Sequence, residues 1–268
     1  MKKYIIAIDL HGTLLDDKWK ISKRHHYELI TLIKELKEYV SFYICTGNDY
    51  DFVVEHLPEE IVRNMNGFIL ETGCIMYKNE NKTYLTSEKI RREAIELQNY
   101  FYAKDYYFIK QQGKRESTIT LFTSDKKSGR SPEFYYDIIY KDLQQHKFKD
   151  NFYITWSNVA IDIIPREMSK WYTLKNIKDK LYFEDNSYII SFVDSYNDKE
   201  IANFSNYTFL PLNSSSKLID YLRYNNKLIF KTNKFHTMIN QCYKSDKLFS
   251  EAVIDGLNQL KESRTLVN

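Results

Sequence analysis

Five residues, Tyr4-Ile5-Ile6-Ala7-Ile8, form an apolar run that ends on a carboxylate, Asp9. Leu10, His11 and a Gly12-Thr13 turn follow at once. The run has the length and side-chain character of a buried central strand. Asp9 then falls at the strand's carboxyl end, where open α/β sheets bind their ligands. An acid there, backed by a Gly-Thr loop, is a candidate nucleophile facing an anion. The plain alternative is an Asp that merely stops a strand. Three later clusters bear on that choice: Thr46-Gly47-Asn48, Lys170, and Asp194-Ser195-Tyr196-Asn197-Asp198. Like Asp9, each falls at the end of a predicted element.

Alternating strands and helices have to position these residues. Ser22 is placed to cap a helix carrying Leu29, Leu32, Ile33, Leu36 and Val40 at helical spacing. A second strand is predicted over 40–45, ending on Thr46, then a helix over 50–64 and a third strand over 67–70. This alternation predicts an α/β fold with a parallel, Rossmann-like sheet. From about residue 76 the pattern changes to a hairpin, a helix over 88–104, and strands over 106–110 and 118–123. A loop with Lys126, Lys127, Gly129 and Arg130 follows, then a helix after Pro132 and strands over 152–156 and 159–164. Helices on an antiparallel sheet make an α+β unit. The parallel pattern resumes after Pro165, with a helix from near Ser169 and a strand over 188–193. A further helix opens after Asp198, strands are predicted over 207–210 and 227–230, and a closing helix follows Asp246. The expected division is a core from 1–76 and 166–268, with 77–165 inserted as a separate α+β unit.

Composition removes several function classes. The net charge is +3 across 268 residues, too small and dispersed for a nucleic-acid footprint. No apolar run reaches the roughly 18 residues of a membrane span. Asp9 interrupts the first apolar stretch too early for a signal peptide, so a cytoplasmic protein is expected. Cys45, Cys74 and Cys242 have no disulfide or zinc spacing and read as buried thiols in a reducing compartment.

Taken in order, the four clusters resemble the motifs of the haloacid dehalogenase-like phosphohydrolase superfamily. Its Asp-x-Asp-Gly-Thr motif reads Asp9-Leu10-His11-Gly12-Thr13 here; its Ser or Thr ending strand two is Thr46. Its Lys is Lys170, and its Asp-x-x-Asn-Asp motif stands intact from Asp194 to Asp198. The position of the insert, between the second and third motifs, is similar to the branch with α+β caps that includes Cof-type sugar phosphatases and phosphomannomutases. The resemblance implies a Rossmann-like core with an α+β cap domain and Mg²⁺-dependent hydrolysis of a small phosphorylated metabolite such as a sugar phosphate. It implies Asp9 as the nucleophile that becomes an aspartyl-phosphate. It assigns the metal to Asp9, the backbone carbonyl of His11, and Asp194. Lys170 would neutralise Asp9 and the phosphate, while Thr46 would donate a hydrogen bond to a phosphoryl oxygen. Asn197 and Asp198 would orient the lysine and the metal surroundings.

One position departs from the family pattern. The second Asp of the first motif, the general acid and base, is His11. An imidazole has a suitable unperturbed pKa, near ~6.5, and its backbone carbonyl remains available to a metal. Three outcomes stay open: His11 replaces the acid/base, hydrolysis is slow or the aspartyl-phosphate long-lived, or the site binds a phosphorylated ligand without turnover. A phosphomutase, the alternative enzyme, would require the aspartyl-phosphate to outlast water attack. Substrate contacts are expected from Thr13, Gly47 and Asn48, and from Asp162 at the cap exit. Among the cap cations Lys110, Lys114, Arg115, Lys126, Lys127 and Arg130, most are expected on a solvated face, with Arg130 the substrate-binding candidate. The expected partner is the small phosphorylated metabolite alone, without nucleic acid or membrane, in a monomer or homodimer.

Overall fold

The computed structural model describes residues 4–123, 129–180, 187–230 and 240–262. In chain order the first strands and helices are β1 (Tyr4–Ile8), α1 (Lys23–Leu36), β2 (Val40–Cys45), α2 (Tyr50–His56), α3 (Glu59–Asn64) and β3 (Gly67–Leu70). Next come β4 (Ile75–Lys78), β5 (Asn81–Tyr84), α4 (Glu88–Tyr102), β6 (Ile109–Gly113), β7 (Ile119–Thr123) and α5 (Tyr136–Gln144). β8 (Phe152–Trp156), β9 (Ala160–Pro165), α6 (Lys170–Lys180), β10 (Tyr188–Phe192), α7 (Lys199–Phe204) and β11 (Tyr207–Leu210) follow. The chain closes with α8 (Ser216–Tyr224), β12 (Leu228–Phe230), β13 (Gln241–Lys244) and α9 (Phe249–Glu262).

Among the described residues the core sheet has the order β12-β13-β11-β10-β1-β2-β3-β4-β5. β1 lies in its interior, parallel to both β10 and β2. Successive side chains of a strand point to opposite faces, so β1 feeds two hydrophobic layers. Ile6 and Ile8 pack on one face with Leu29, Ile33, Val253 and Leu257 from α1 and α9. Ile5 and Ala7 pack on the other with Leu174, Ile201 and Leu218 from α6, α7 and α8. Burying one such aliphatic side chain contributes about 1.5–3 kcal/mol. A strand buried on both faces is a rigid place from which to project Asp9.

The second unit is an antiparallel sheet, order β6-β7-β9-β8. Leu97 and Phe101 of α4 and Ile139 and Leu143 of α5 cover it in a separate hydrophobic cluster. The α/β core with an inserted α+β cap is therefore present as the sequence predicted.

Several details differ. The hairpin expected to open the cap, β4–β5, pairs antiparallel with β3 and extends the core sheet, so residue 76 lies within a core strand. The helix expected over 50–64 is two helices, since Leu57 and Pro58 leave helical geometry and Pro58 caps the second. The strand expected over 106–110 sits three residues later, at β6. β13 and α8 were not predicted, and Lys126 and Lys127 lie outside the described residues.

Candidate active site

The amide of Asp9 donates to the carbonyl of Phe192 (2.9 Å), which fixes the acid at the carboxyl end of β1 beside β10. The chain then turns through Gly12 at φ +82°, and a Cβ there would lie 2.3 Å from Asp194 Oδ2. Only glycine meets both demands. Thr13 donates to Asp194 Oδ1 (3.1 Å), and Asn158, on the turn between β8 and β9 of the cap, donates to Asp194 Oδ2 (3.0 Å). Lys170 at the start of α6 places Nζ 2.5 Å from Asp9 Oδ1 and 2.5 Å from Asp198 Oδ1.

Carboxylate oxygens of Asp9, Asp194 and Asp198 lie within 4.8 Å of one another, all buried. Burial pushes the carboxyls of Asp9 and Asp194 up, Lys170 pulls both down, and their proximity raises Asp194 further. Burial works against the charge on Lys170, but Asp198 and Asp9 overturn it and hold the ammonium protonated. One cation thus faces three carboxylates. All the donors are hard oxygens, with no thiolate or imidazole among them, which suits Mg²⁺ or Ca²⁺ rather than a softer metal.

The second loop is built on β2 and β3. Thr46 donates its amide to Ile69 and accepts at its carbonyl from Thr72 (2.8 and 3.0 Å). Its Oγ1 accepts from the backbone and side-chain nitrogens of Asn48, each at 3.2 Å. Asp49 caps α2 by accepting from Phe52 N (2.8 Å). From the cap, Arg115 donates to Gly47 O (3.0 Å), Asn48 Oδ1 (2.7 Å) and Asp49 Oδ2 (3.1 Å). Its side chain is only 5% exposed.

These groups enclose a cavity of about 50 Å³ lined by Asp9, His11, Thr46, Arg115, Asp162 and Asp194, among others. A wider hollow of about 620 Å³ shares His11, Trp19, Asn48, Phe52 and Arg115 with it, and is rimmed by Lys110 and Lys114. His11 stands at the boundary. Its Nε2 is buried without a partner, and burial lowers the imidazole pKa. Its ring meets Trp19 edge-on at 5.8 Å. Trp19 itself sits at φ +59°, in a turn where Asp16 Oδ1 accepts from the amides of Lys18 and Lys20.

The profile of the haloacid dehalogenase-like hydrolases matches residues 6–138 and 71–239. The chain belongs to this family. Solved structures agree in fold. A sucrose-phosphatase from Synechocystis sp. PCC6803, in complex with sucrose and phosphate, superimposes with a TM-score of 0.69 at 12% identity, covering 97% of this chain and 99% of that one. A Streptococcus mutans UA159 protein gives 0.69 at 18% identity (98% and 100% covered). A haloacid dehalogenase-like hydrolase from B. subtilis gives 0.65 at 15% identity (97% and 100% covered). No curated protein matches the chain.

Within this haloacid dehalogenase-like hydrolase, Asp9, Thr13, Lys170, Asp194 and Asp198 meet in direct contacts. His11, Thr46, Gly47, Asn48, Asp162 and Asn197 line the same cavity. Asp162 accepts from Thr120 (2.7 Å), and burial raises its pKa. The side chain of Asn197 accepts from Ser195 Oγ (2.6 Å) rather than touching Lys170, whereas Asp198 does touch it. Arg130 is not brought to the cavity: it is exposed, its guanidinium 3.9 Å from the centre of the Phe134 ring. The cap cation that enters the site is Arg115, one of those expected on a solvated face. Asn158 and Trp19 were not singled out in the sequence.

Proposed function

We propose that the protein is a Mg²⁺-dependent phosphatase that hydrolyses the phosphate monoester of a small metabolite through Asp9, in the cytoplasm. What carries the reading is Lys170, 3% exposed, bridging Asp9 and Asp198 beside the third acid, Asp194. A buried carboxylate approaching a phosphoryl dianion is repelled unless cations mask both. Asp9, Asp194 and the His11 carbonyl would hold Mg²⁺, whose charge would supply part of that neutralisation. Lys170 supplies the rest, and the Thr46 hydroxyl donates to a phosphoryl oxygen.

An Asp9 carboxylate oxygen forms a bond to phosphorus as the bond from phosphorus to the ester oxygen breaks. His11, once it has bound a proton against the burial that lowers its pKa, gives that Nε2 proton to the departing oxygen, leaving a neutral imidazole. That imidazole then takes a proton from a water whose oxygen bonds to phosphorus, releasing phosphate and restoring Asp9. His11 lines both the small cavity and the wide hollow, and its buried Nε2 has no hydrogen-bond partner, which supports this role. The small cavity suits the phosphoryl group and the hollow suits the leaving group. The sucrose-phosphatase likeness favours a phosphorylated sugar as the first class to try.

The test is a phosphate-release screen across phosphorylated sugars, nucleotides and phosphoglycolate, with Mg²⁺ and with chelator. Release from at least one ester, abolished by chelation, is expected. Tight binding of esters without release from any of them would overturn hydrolysis.

A further inference from the structure

We propose that Arg115 is a positioning residue: by gripping Asn48 from the cap, it sets the Thr46 hydroxyl to donate into the phosphoryl site. The inference rests on the proposed contact between Thr46 and the phosphoryl group and adds what controls it.

A guanidinium carries donors only. Arg115 Nη2 lies 2.7 Å from the side chain of Asn48, so the atom facing it is the amide oxygen. The Asn48 NH₂ therefore faces the other way, 3.2 Å from Thr46 Oγ1. The backbone N–H of Asn48 donates to the same Oγ1, also at 3.2 Å. A hydroxyl oxygen has two acceptor sites and one proton. With both acceptor sites filled, the proton of Thr46 has to point away from Asn48. Among the described residues no hydrogen bond uses it, and Thr46 lines the cavity that holds Asp9.

The grip on this turn extends beyond one bond. Arg115 Nε donates to Gly47 O and Nη1 to Asp49 Oδ2, so three consecutive core residues are held by one cap side chain. The next two cap amides, of Glu116 and Ser117, donate to the buried carboxylate of Glu71 (2.9 and 2.7 Å). Arg115 thus arrives on Asn48 as part of cap docking. Without that guanidinium the Asn48 amide has no partner that fixes its orientation, and a turned amide would accept the Thr46 proton instead of donating.

The test is calorimetric titration of the full chain with inorganic phosphate at saturating Mg²⁺, with a melting temperature for each variant. Thr46→Val, Arg115→Ala and Asn48→Ala are each expected to weaken phosphate binding about tenfold, the scale of one hydrogen bond to a charged group. Arg115→Lys keeps the charge but not the fork and is expected to lose as much. The double variant Arg115→Ala/Thr46→Val is expected to bind no more weakly than Thr46→Val alone. Parental affinity in Arg115→Ala, recovery in Arg115→Lys, or losses that multiply in the double variant would overturn the relay while leaving the Thr46 contact intact. Parental affinity in Thr46→Val, or no phosphate binding by the parent, would remove the contact itself and the relay with it. Should the Arg115 variants fail to fold, Asn48→Ala and Asn48→Ala/Thr46→Val carry the same comparison.

Discussion

Lys170 is outnumbered by the three carboxylates it sits among, and the site's behaviour follows from that imbalance. Mg²⁺ held by the folded arrangement of acids would stabilise the protein by mass action, about 2.7 kcal/mol at a hundred times its dissociation constant. A thermal melt should therefore rise with Mg²⁺ in the parent and much less in Asp194→Asn; equal rises in both would contradict the assignment. At His11, Ala substitution should lower kcat by about 10²–10⁴, the scale of lost general acid–base catalysis, and Asp should restore most of it. A steady-state assay on any ester turned over checks this, and an unaffected His11→Ala would remove the imidazole from the mechanism. Asp9, Thr46, Lys170, Asp194 and Asp198 were legible in the sequence because each ends or starts an element within a short signature. Arg115 was not. In Lys114-Arg115-Glu116 nothing local separates a buried guanidinium from a solvated one, and burial is decided by a core turn 66 to 68 residues away in sequence. Asn158 was hidden in the same way, as a turn residue whose partner, Asp194, belongs to the other domain.

The elements that place the site are short and their ends are sharply specified. The loop after β1 depends on Gly12, and Gly12→Ala should cost about 1–3 kcal/mol for the left-handed backbone alone. Its Cβ would also displace Asp194, so the Mg²⁺-dependent rise in melting temperature should disappear with it. A variant that melts like the parent, with and without Mg²⁺, would contradict that account. In the cap, Phe101 of α4 is fully buried. Phe101→Ala should lower the unfolding free energy by about 3–5 kcal/mol in urea denaturation. Strands with clean apolar runs, β1, β2, β3 and β8, were readable to the residue. β13 was not: Gln-Cys-Tyr-Lys has polar ends and is too short for periodicity, and only its pairing with β11 and β12 makes it a strand. α8 follows Asn213-Ser214-Ser215 and precedes Asn225-Asn226, so its flanks read as loop although Leu218, Ile219 and Leu222 share one buried face.

Across the whole molecule, cap and core meet around the loops that carry Asp9, Thr46 and Asp194. Asn158 reaches Asp194, Arg115 grips the turn after Thr46, and Glu71 takes two cap amides. Glu71 and Thr72 both adopt positive φ, 46° and 55°, so the segment that carries this carboxylate is strained for non-glycine residues. Glu71→Gln leaves one of the two cap amides facing a donor, a loss of about 1–3 kcal/mol. Hydrogen exchange at the amides of Glu116 and Ser117 should speed up accordingly; unchanged protection would show that the cap is held elsewhere. No described helix is long and apolar enough to cross a membrane. The central claim, that Asp9 takes up a phosphoryl group at a Mg²⁺ site, is tested without knowing the substrate. Beryllofluoride added to a carboxylate nucleophile mimics its phosphorylated form, and ¹⁹F NMR reports it directly. Bound fluorine resonances that require Mg²⁺ in the parent and vanish in Asp9→Asn are predicted. The same resonances in both proteins, or none in the parent with Mg²⁺ in excess, would contradict the account.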